Sequence, residues 1–191
     1  NGECFTSYRI VESNENTGVA GNLNRGVKAS RGKWFKLCAG DDLLLPKCIE
    51  DNVKFIDQNP NQDIHVVSSI RLRFWDEEGE RHIKHPGPPS IFFHPKISVD
   101  DQFELALRKV SPAPNSWFVR KRAFLDIGGC DTNFPMHEDR PLLLKFLKSG
   151  YKLYFLDKET VLYRIHFESI FHSQSEDLIY RDWTIKQDFP V

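Results

Sequence analysis

Neither sign of charge is in excess, with 26 Lys and Arg against 27 Asp and Glu over 191 residues and a formal net charge of −1. A general nucleic-acid binder carries a basic surplus, so the balance argues against nucleic acid as a partner. No run of about 18 apolar residues occurs, and no transmembrane segment is expected in this stretch. The opening residues, NGECFTSYRI, have neither the basic nor the apolar part of a secretory leader. Cys4, Cys38, Cys48 and Cys130 form no CxxC pair, and a domain of this size does not need disulfide staples. Free thiols in a reducing, cytoplasmic compartment are the expectation. Internal repeats and low-complexity tracts are missing too.

What is present is a globular composition, 40% hydrophobic and 28% charged, enough for one core and short for two. Residues 8–12 (YRIVE) read as a short strand. Val19, Leu23, Val27 and Ser30 recur at helical spacing until Gly32 stops the helix. KWFKLCA, residues 33–39, is a strand with Asp41-Asp42 directly beyond it. Pro46 opens a helix whose apolar face is Ile49, Val53 and Ile56. A buried strand from Ile64 runs on through RLRFW, and DEEGE turns it into a second arm, RHIK. A Pro-rich excursion at 85–98, a helix at 100–109, the strand SWFV and a helical turn stopped by Gly128-Gly129 follow. A helix after Pro135–Asp139 ends at Gly150, and two strands, YKLYFL and TVLYRI, precede a tail over 173–191. The early alternation predicts an α/β domain with a mainly parallel sheet, becoming mixed later.

Ligands of open α/β sheets bind at the carboxyl ends of strands, where Asp41 and Asp42 lie. Paired carboxylates suit a hard divalent cation; equally, they suit a solvated loop that helps to cap the next helix. Glu138-Asp139 at a helix start fits capping, since that end favours negative charge. Arg164 and His166 share one face of a strand end, as structural hydrogen-bonding residues or as ligands. Trp117 and Phe118 read as core packing, and the RLRFW run reads as a half-exposed strand.

Several of these pieces together carry a resemblance. NTGVAGNLNRGVKASRG (16–32), then KWFKLCAGDDLLLP (33–46), then GGCDTNFPMHED (128–139), KSG (148–150) and YRIH (163–166) resemble, in order and spacing, the family 2 glycosyltransferases of the GT-A fold. Asn24, Gly26, Ala29, Gly32, Asp41, Asp42 and Pro46 stand at the family's motif positions. The family's acidic motif often begins two positions before Asp41, where this chain has Ala39. Its first strand–helix–strand unit, with nucleotide-base contacts, belongs before Tyr8. The expectation is therefore a GT-A-like mixed sheet flanked by helices over residues 1–172, N-terminally incomplete, with an unpaired sheet edge that self-association into a homo-oligomer would shield.

The resemblance implies transfer of a sugar from a nucleotide-sugar donor, a UDP- or GDP-sugar, to an acceptor hydroxyl with inversion. It makes Asp139 the general base with Glu138 as the alternative. Asn24, Gly26, Asp41, Asp42 and Arg164 become donor contacts, and Trp117 and His137 acceptor contacts. Asp41, Asp42 and His166 become ligands of Mn²⁺ or Mg²⁺, with Mn²⁺ favoured by an imidazole ligand. A helix start would keep Asp139 ionised and only modestly basic. The acceptor would be a carbohydrate or a lipid-linked one, as in the bacterial surface-polysaccharide assembly the family often serves, with work at the inner face of the membrane. Two rivals remain: a nucleotidyltransferase, and a non-catalytic relative that binds carbohydrate or protein.

Overall fold

The computed structural model describes residues 7–87, 89–108, 112–134 and 138–165. His137, His166 and the expected tail lie outside the described residues. The chain begins irregular: residues 8–12 form no strand, and Tyr8 and Ile10 stand 91% and 74% exposed. An apolar alternation needs a neighbouring strand, and among the described residues none pairs with it.

Helix α1 (Gly18–Ala29) buries Ala20 and Val27. Strand β1 (Trp34–Lys36) and the two-residue β2 (Leu43–Leu44) flank the acidic pair. In α2 (Cys48–Asp57) the buried face is Cys48 and Asn52, while Ile49 and Val53 are 48% and 40% exposed. Of the expected Ile49, Val53 and Ile56 face, Ile56 packs inward, and Ile49 and Val53 are turned outward. The inner face is kept helical by a buried amide, Asn52 Nδ2 donating to the Cys48 carbonyl at 2.7 Å.

Strands β3 (Val66–Glu77) and β4 (Glu80–Lys84) form a hairpin. Its two turn residues, Glu78 and Gly79, both have positive φ, the geometry that matches the twist of paired strands. Helix α3 (Val99–Leu107) starts on a capping box between Ser98 and Asp101. A short 3₁₀ turn at Pro114–Ser116 leads into β5 (Trp117–Arg120) and α4 (Lys121–Asp126). Helix α5 (Asp139–Lys148) is followed by β6 (Leu153–Arg164). The two strands expected at the end are one twelve-residue strand, with register shifts against β3 between Ser69 and Arg71.

The sheet order is β1-β5-β3-β6-β2, with β4 on the far part of β3. Among the described residues only β3 and β6 pair in parallel; the other pairings are antiparallel. The sheet is mixed, as the resemblance implies, and the mainly parallel reading of its early part is corrected. The β1 and β3 strands do run the same way, but β5 returns between them.

Alternation along the strands feeds two cores. Val66, Trp117, Val119 and Leu153 face a layer built from α1, α3, α4 and α5. Val67, Phe118 and Leu156 face the other side, under Phe55 and Ile56 of α2. Among the described residues no helix is long and apolar enough to cross a membrane.

Two side-chain amides stand in for backbone where the ladder ends. Gln102, fully buried, donates to the carbonyls of Phe92 and Leu153 and accepts from the Leu153 N–H, each at 2.9 Å. Asn24 on α1 donates to the Cys130 carbonyl and accepts from the Cys130 N–H, both at 2.8 Å. Beside it Gly129 has φ +67, and a Cβ there would lie 2.5 Å from the Asn24 Oδ1. Lys145 of α5 holds the Gly129 carbonyl at 2.6 Å. Asn24 and the Gly-Gly pair, separate in sequence, are two halves of one fastening.

Asn24→Asp keeps the acceptor but removes the donor and sets an oxygen against the Cys130 carbonyl. The expected cost is about 1–3 kcal/mol, read as a lower urea midpoint with an unchanged slope. A wild-type midpoint would show that the fastening is dispensable.

Candidate active site

Beyond β1 the chain turns tightly, the Asp42 N–H reaching back to the Ala39 carbonyl at 3.2 Å. The turn leaves Asp41 exposed and tucks Asp42 inward, 6% exposed. One Asp42 oxygen accepts the Arg164 backbone N–H at 3.1 Å, and the other accepts the Asn115 amide at 3.2 Å. Burial pushes the Asp42 pKa up; the two hydrogen bonds and Arg71 oppose it, and Asp41 adds to the rise.

Arg164, the last residue of β6, braces this turn. Its Nε donates to the Asp41 carbonyl at 3.3 Å, its guanidinium pairs with Asp76 of β3, and it lies 4.5 Å from the Phe74 ring centre. The guanidinium expected to meet a donor is thus engaged with the protein.

Asn115 ties three elements together. Besides bonding Asp42, its side-chain oxygen accepts from Arg71 at 3.2 Å, and its backbone carbonyl accepts from Lys36 Nζ at 2.9 Å. Below lies a buried hydroxyl floor in which Ser69 bonds Thr160 and the Ser116 carbonyl, and Ser68 bonds Ser116. Burial pushes the Lys36 pKa down to about 8, against the pull of Cys48, Cys38 and Asp42. The Arg71 guanidinium sits 4.5 Å from the Tyr163 ring centre and feels both Asp42 and Asp139.

Asp139 opens α5, which carries no side-chain cap from Glu138. The residue as a whole is solvent-exposed, while protein atoms crowd around its carboxyl. That desolvation, with Glu138 adding repulsion and Arg71 opposing, pushes its pKa up to about 7. The expected low basicity of a helix-start carboxylate is corrected: desolvation outweighs the helix end. One Glu138 oxygen, Oε2, is buried without a hydrogen-bond partner. Cys130, held by Asn24, lies within electrostatic reach of both acids, so the α1 fastening fixes the approach to α5.

The structure therefore brings Asp41, Asp42 and Arg164 into one turn, and Arg71 lies within electrostatic reach of both Asp42 and Asp139. Asn24 is occupied by Cys130 rather than open to a donor. Gly26 lines a separate open groove beside Tyr8, Ala29 and Gly32. Trp117 is fully buried, its ring edge-on to Phe146 at 6.2 Å, and is core rather than a sugar platform. Asn115, Arg71, Lys36 and Asp76 are the site's members that the sequence analysis did not single out. Among the described residues no group of three His, Cys, Asp or Glu is arranged to hold a metal ion. Asp41 and Asp42 offer carboxylate oxygens, the donors that Mg²⁺ and Mn²⁺ prefer, so the pair fits a cation as part of a shell completed by other ligands.

The family model described as Glycosyl transferase family 2 matches residues 5–128. A protein of Haemophilus influenzae named "Uncharacterized glycosyltransferase" is 28% identical over 139 residues, which is 73% of this chain and 44% of that protein. The chain thus spans under half the length of this curated relative. The crystal structure of S. aureus TarS 1-349 superposes with a TM-score of 0.57 at 16% identity, covering 77% of this chain and 40% of that one. TarS 1-349 in complex with UDP does so with the same score over 78% and 41%. At this identity the likeness is one of fold, and it places the mixed sheet and its helices with the GT-A glycosyltransferases.

The lysine under the acidic turn gives a pH signature. Lys36 titrates at about 8 in the native state against an ordinary 10.5. Between those values the unfolded chain binds more protons, so this group's contribution to stability rises with pH there and is unfavourable below pH 8. The stability of wild type relative to Lys36→Met should increase from pH 8 to pH 10 in urea titrations. A difference that stays flat would place the ammonium in water.

Proposed function

Because the chain belongs to glycosyl transferase family 2, we propose that the protein transfers a sugar from a nucleotide-sugar donor to an acceptor hydroxyl, inverting the anomeric centre, with Asp139 as the general base. The observation that carries the reading is the Asp139 carboxyl. It opens toward solvent at the start of α5, is pushed up to about 7 by the protein crowded around it, and lies within electrostatic reach of Arg71, as Asp42 does. A base is most effective when its pKa lies near the working pH, and the crowding around Asp139 supplies that match. Glu138 raises the basicity of its neighbour by repulsion, a positioning and tuning role.

Inversion needs a single displacement with attack opposite the leaving group, so one base suffices and no covalent intermediate is required. Asp139 takes the acceptor proton as its oxygen attacks. The Asp41-Asp42 turn faces the leaving diphosphate, and the TarS complex with UDP supports a nucleoside diphosphate, UDP or GDP, in that role. Mn²⁺ or Mg²⁺ held by Asp41 and Asp42 would neutralise charge on that diphosphate. Arg164 acts through the turn: it fixes the Asp42 carboxylate by its backbone N–H and the Asp41 carbonyl by its side chain. His166 and His137 stay within the proposal as metal and acceptor contacts. A carbohydrate or lipid-linked acceptor, met at the inner face of the membrane, is the corresponding partner.

Asp139→Asn should lower sugar transfer by ~10²–10⁴-fold in the full-length protein while the affinity for UDP or GDP stays near wild type. Glu138→Gln should be milder. Full activity of a folded Asp139→Asn protein would move the base elsewhere.

A further inference from the structure

Arg73 of β3 and Lys84 of β4 are direct cross-strand partners. Like charges placed opposite each other destabilise a hairpin, and neither side chain has an ion-pair partner among the described residues. Arg71 and Arg73 are two apart on β3 and share a face, close enough that Arg73 disfavours the Arg71 charge. His85 follows Lys84, and its ring pairs with Glu159 at 2.9 Å. The four basic residues line a cavity of about 330 Å³, with Ser69 in its polar floor and Phe155 on an apolar wall. Arg71 is faced by the carboxylates of Asp42 and Asp139, and His85 by that of Glu159.

A hairpin that sets two cations, unpaired among the described residues, side by side at the mouth of a cavity is built for an anion. Surface solvation alone would be served as well by alternating charges, as the neighbouring Asp76–Arg81 pair of the same hairpin has. Phosphate esters fit best, because several oxygens can meet several donors at once. The apolar wall and the Ser69 hydroxyl suit the carbon and hydroxyl part of a sugar or polyol.

We propose that this cavity is a subsite for a phosphate ester carried by the acceptor, with Arg73 and Lys84 gripping the phosphate and Arg71 lying between it and Asp139. The proposal rests on the reading of Asp139 as the acceptor's base. The phosphate is either within a water-soluble polyol-phosphate chain or the link to a lipid.

The test is direct binding of sn-glycerol 3-phosphate to the full-length protein, followed by calorimetry without any transfer reaction, so that it stands or falls apart from the base assignment. Saturable binding is expected, absent for glycerol, undiminished by saturating UDP, and weakened at least about tenfold by Lys84→Glu. The same variant should raise the melting temperature in the absence of phosphate, because it converts a repulsive cross-strand pair into an attractive one. That outcome separates lost function from lost folding. Phosphatidylglycerol vesicles compete with glycerol phosphate if the ester is lipid-linked and do not if it is soluble; the proposal holds in both cases. No saturable binding, binding unchanged in Lys84→Glu, or competition by UDP would each overturn it, the last by assigning the cations to the donor.

Discussion

One amide carries the site. Asn115 stands between a carboxylate and a guanidinium, donating to Asp42 and accepting from Arg71, while its backbone carbonyl receives Lys36. Only a side chain with a donor on one branch and an acceptor on the other can satisfy both neighbours at once. Buried charge is costly unless paired and hydrogen-bonded, and here three charged groups share one neutral connector. The arrangement keeps Arg71 from collapsing onto Asp42 and leaves its charge available to Asp139. Without that connector, the acidic turn and the start of α5 would be two unrelated acidic places on one sheet.

The sheet makes this possible by its one parallel pairing. The β3 and β6 strands lie side by side over nearly their whole length, so Ser69 meets Thr160 beneath the site, and Arg164 beside Phe74 ends where Asp42 needs a backbone N–H. The irregular register between Ser69 and Arg71 falls where the strand passes from buried hydroxyls to basic residues. On the other face of the same frame, Asn24 and Lys145 draw the Gly128-Gly129 turn between α1 and α5. The chemistry proposed for Asp139 thus depends on contacts made far from it in sequence.

Much of the frame was legible beforehand. Helical spacing placed α1, α4 was legible as a helical turn and α5 as a helix, the glycines at 128–129 and 150 marked the ends of these two, and DEEGE marked the hairpin. Short local signals failed where tertiary pairing decides. YRIVE has strand composition but no partner. In α2 the more hydrophobic face, Ile49 and Val53, lies outward, while a polar residue, Asn52, is buried because it bonds its own helix. The charged triplet 157–159 split β6 into two apparent strands, though an exposed stretch of a paired strand tolerates charge on its open side. At the site, the acidic turn and the Glu138-Asp139 pair were visible as motifs. Arg71 was hidden because a charged residue in an alternating strand reads as solvent-facing. Asn115 was hidden because a turn asparagine after proline has an ordinary local explanation. Trp117 erred the other way: strand alternation sends it into the core with Val119, and a sugar-stacking ring would have needed the opposite parity.

The account's central claim is that Asp139 is a desolvated carboxylate tuned by two neighbours of opposite sign, Glu138 raising its pKa and Arg71 lowering it. A ¹³C carboxyl NMR titration of the full-length protein measures this without any donor or acceptor. It should place Asp139 near 7, move it down in Glu138→Gln and move it up in Arg71→Met. An Asp139 that titrates near the ordinary value of about 4, unmoved by either substitution, would contradict the account.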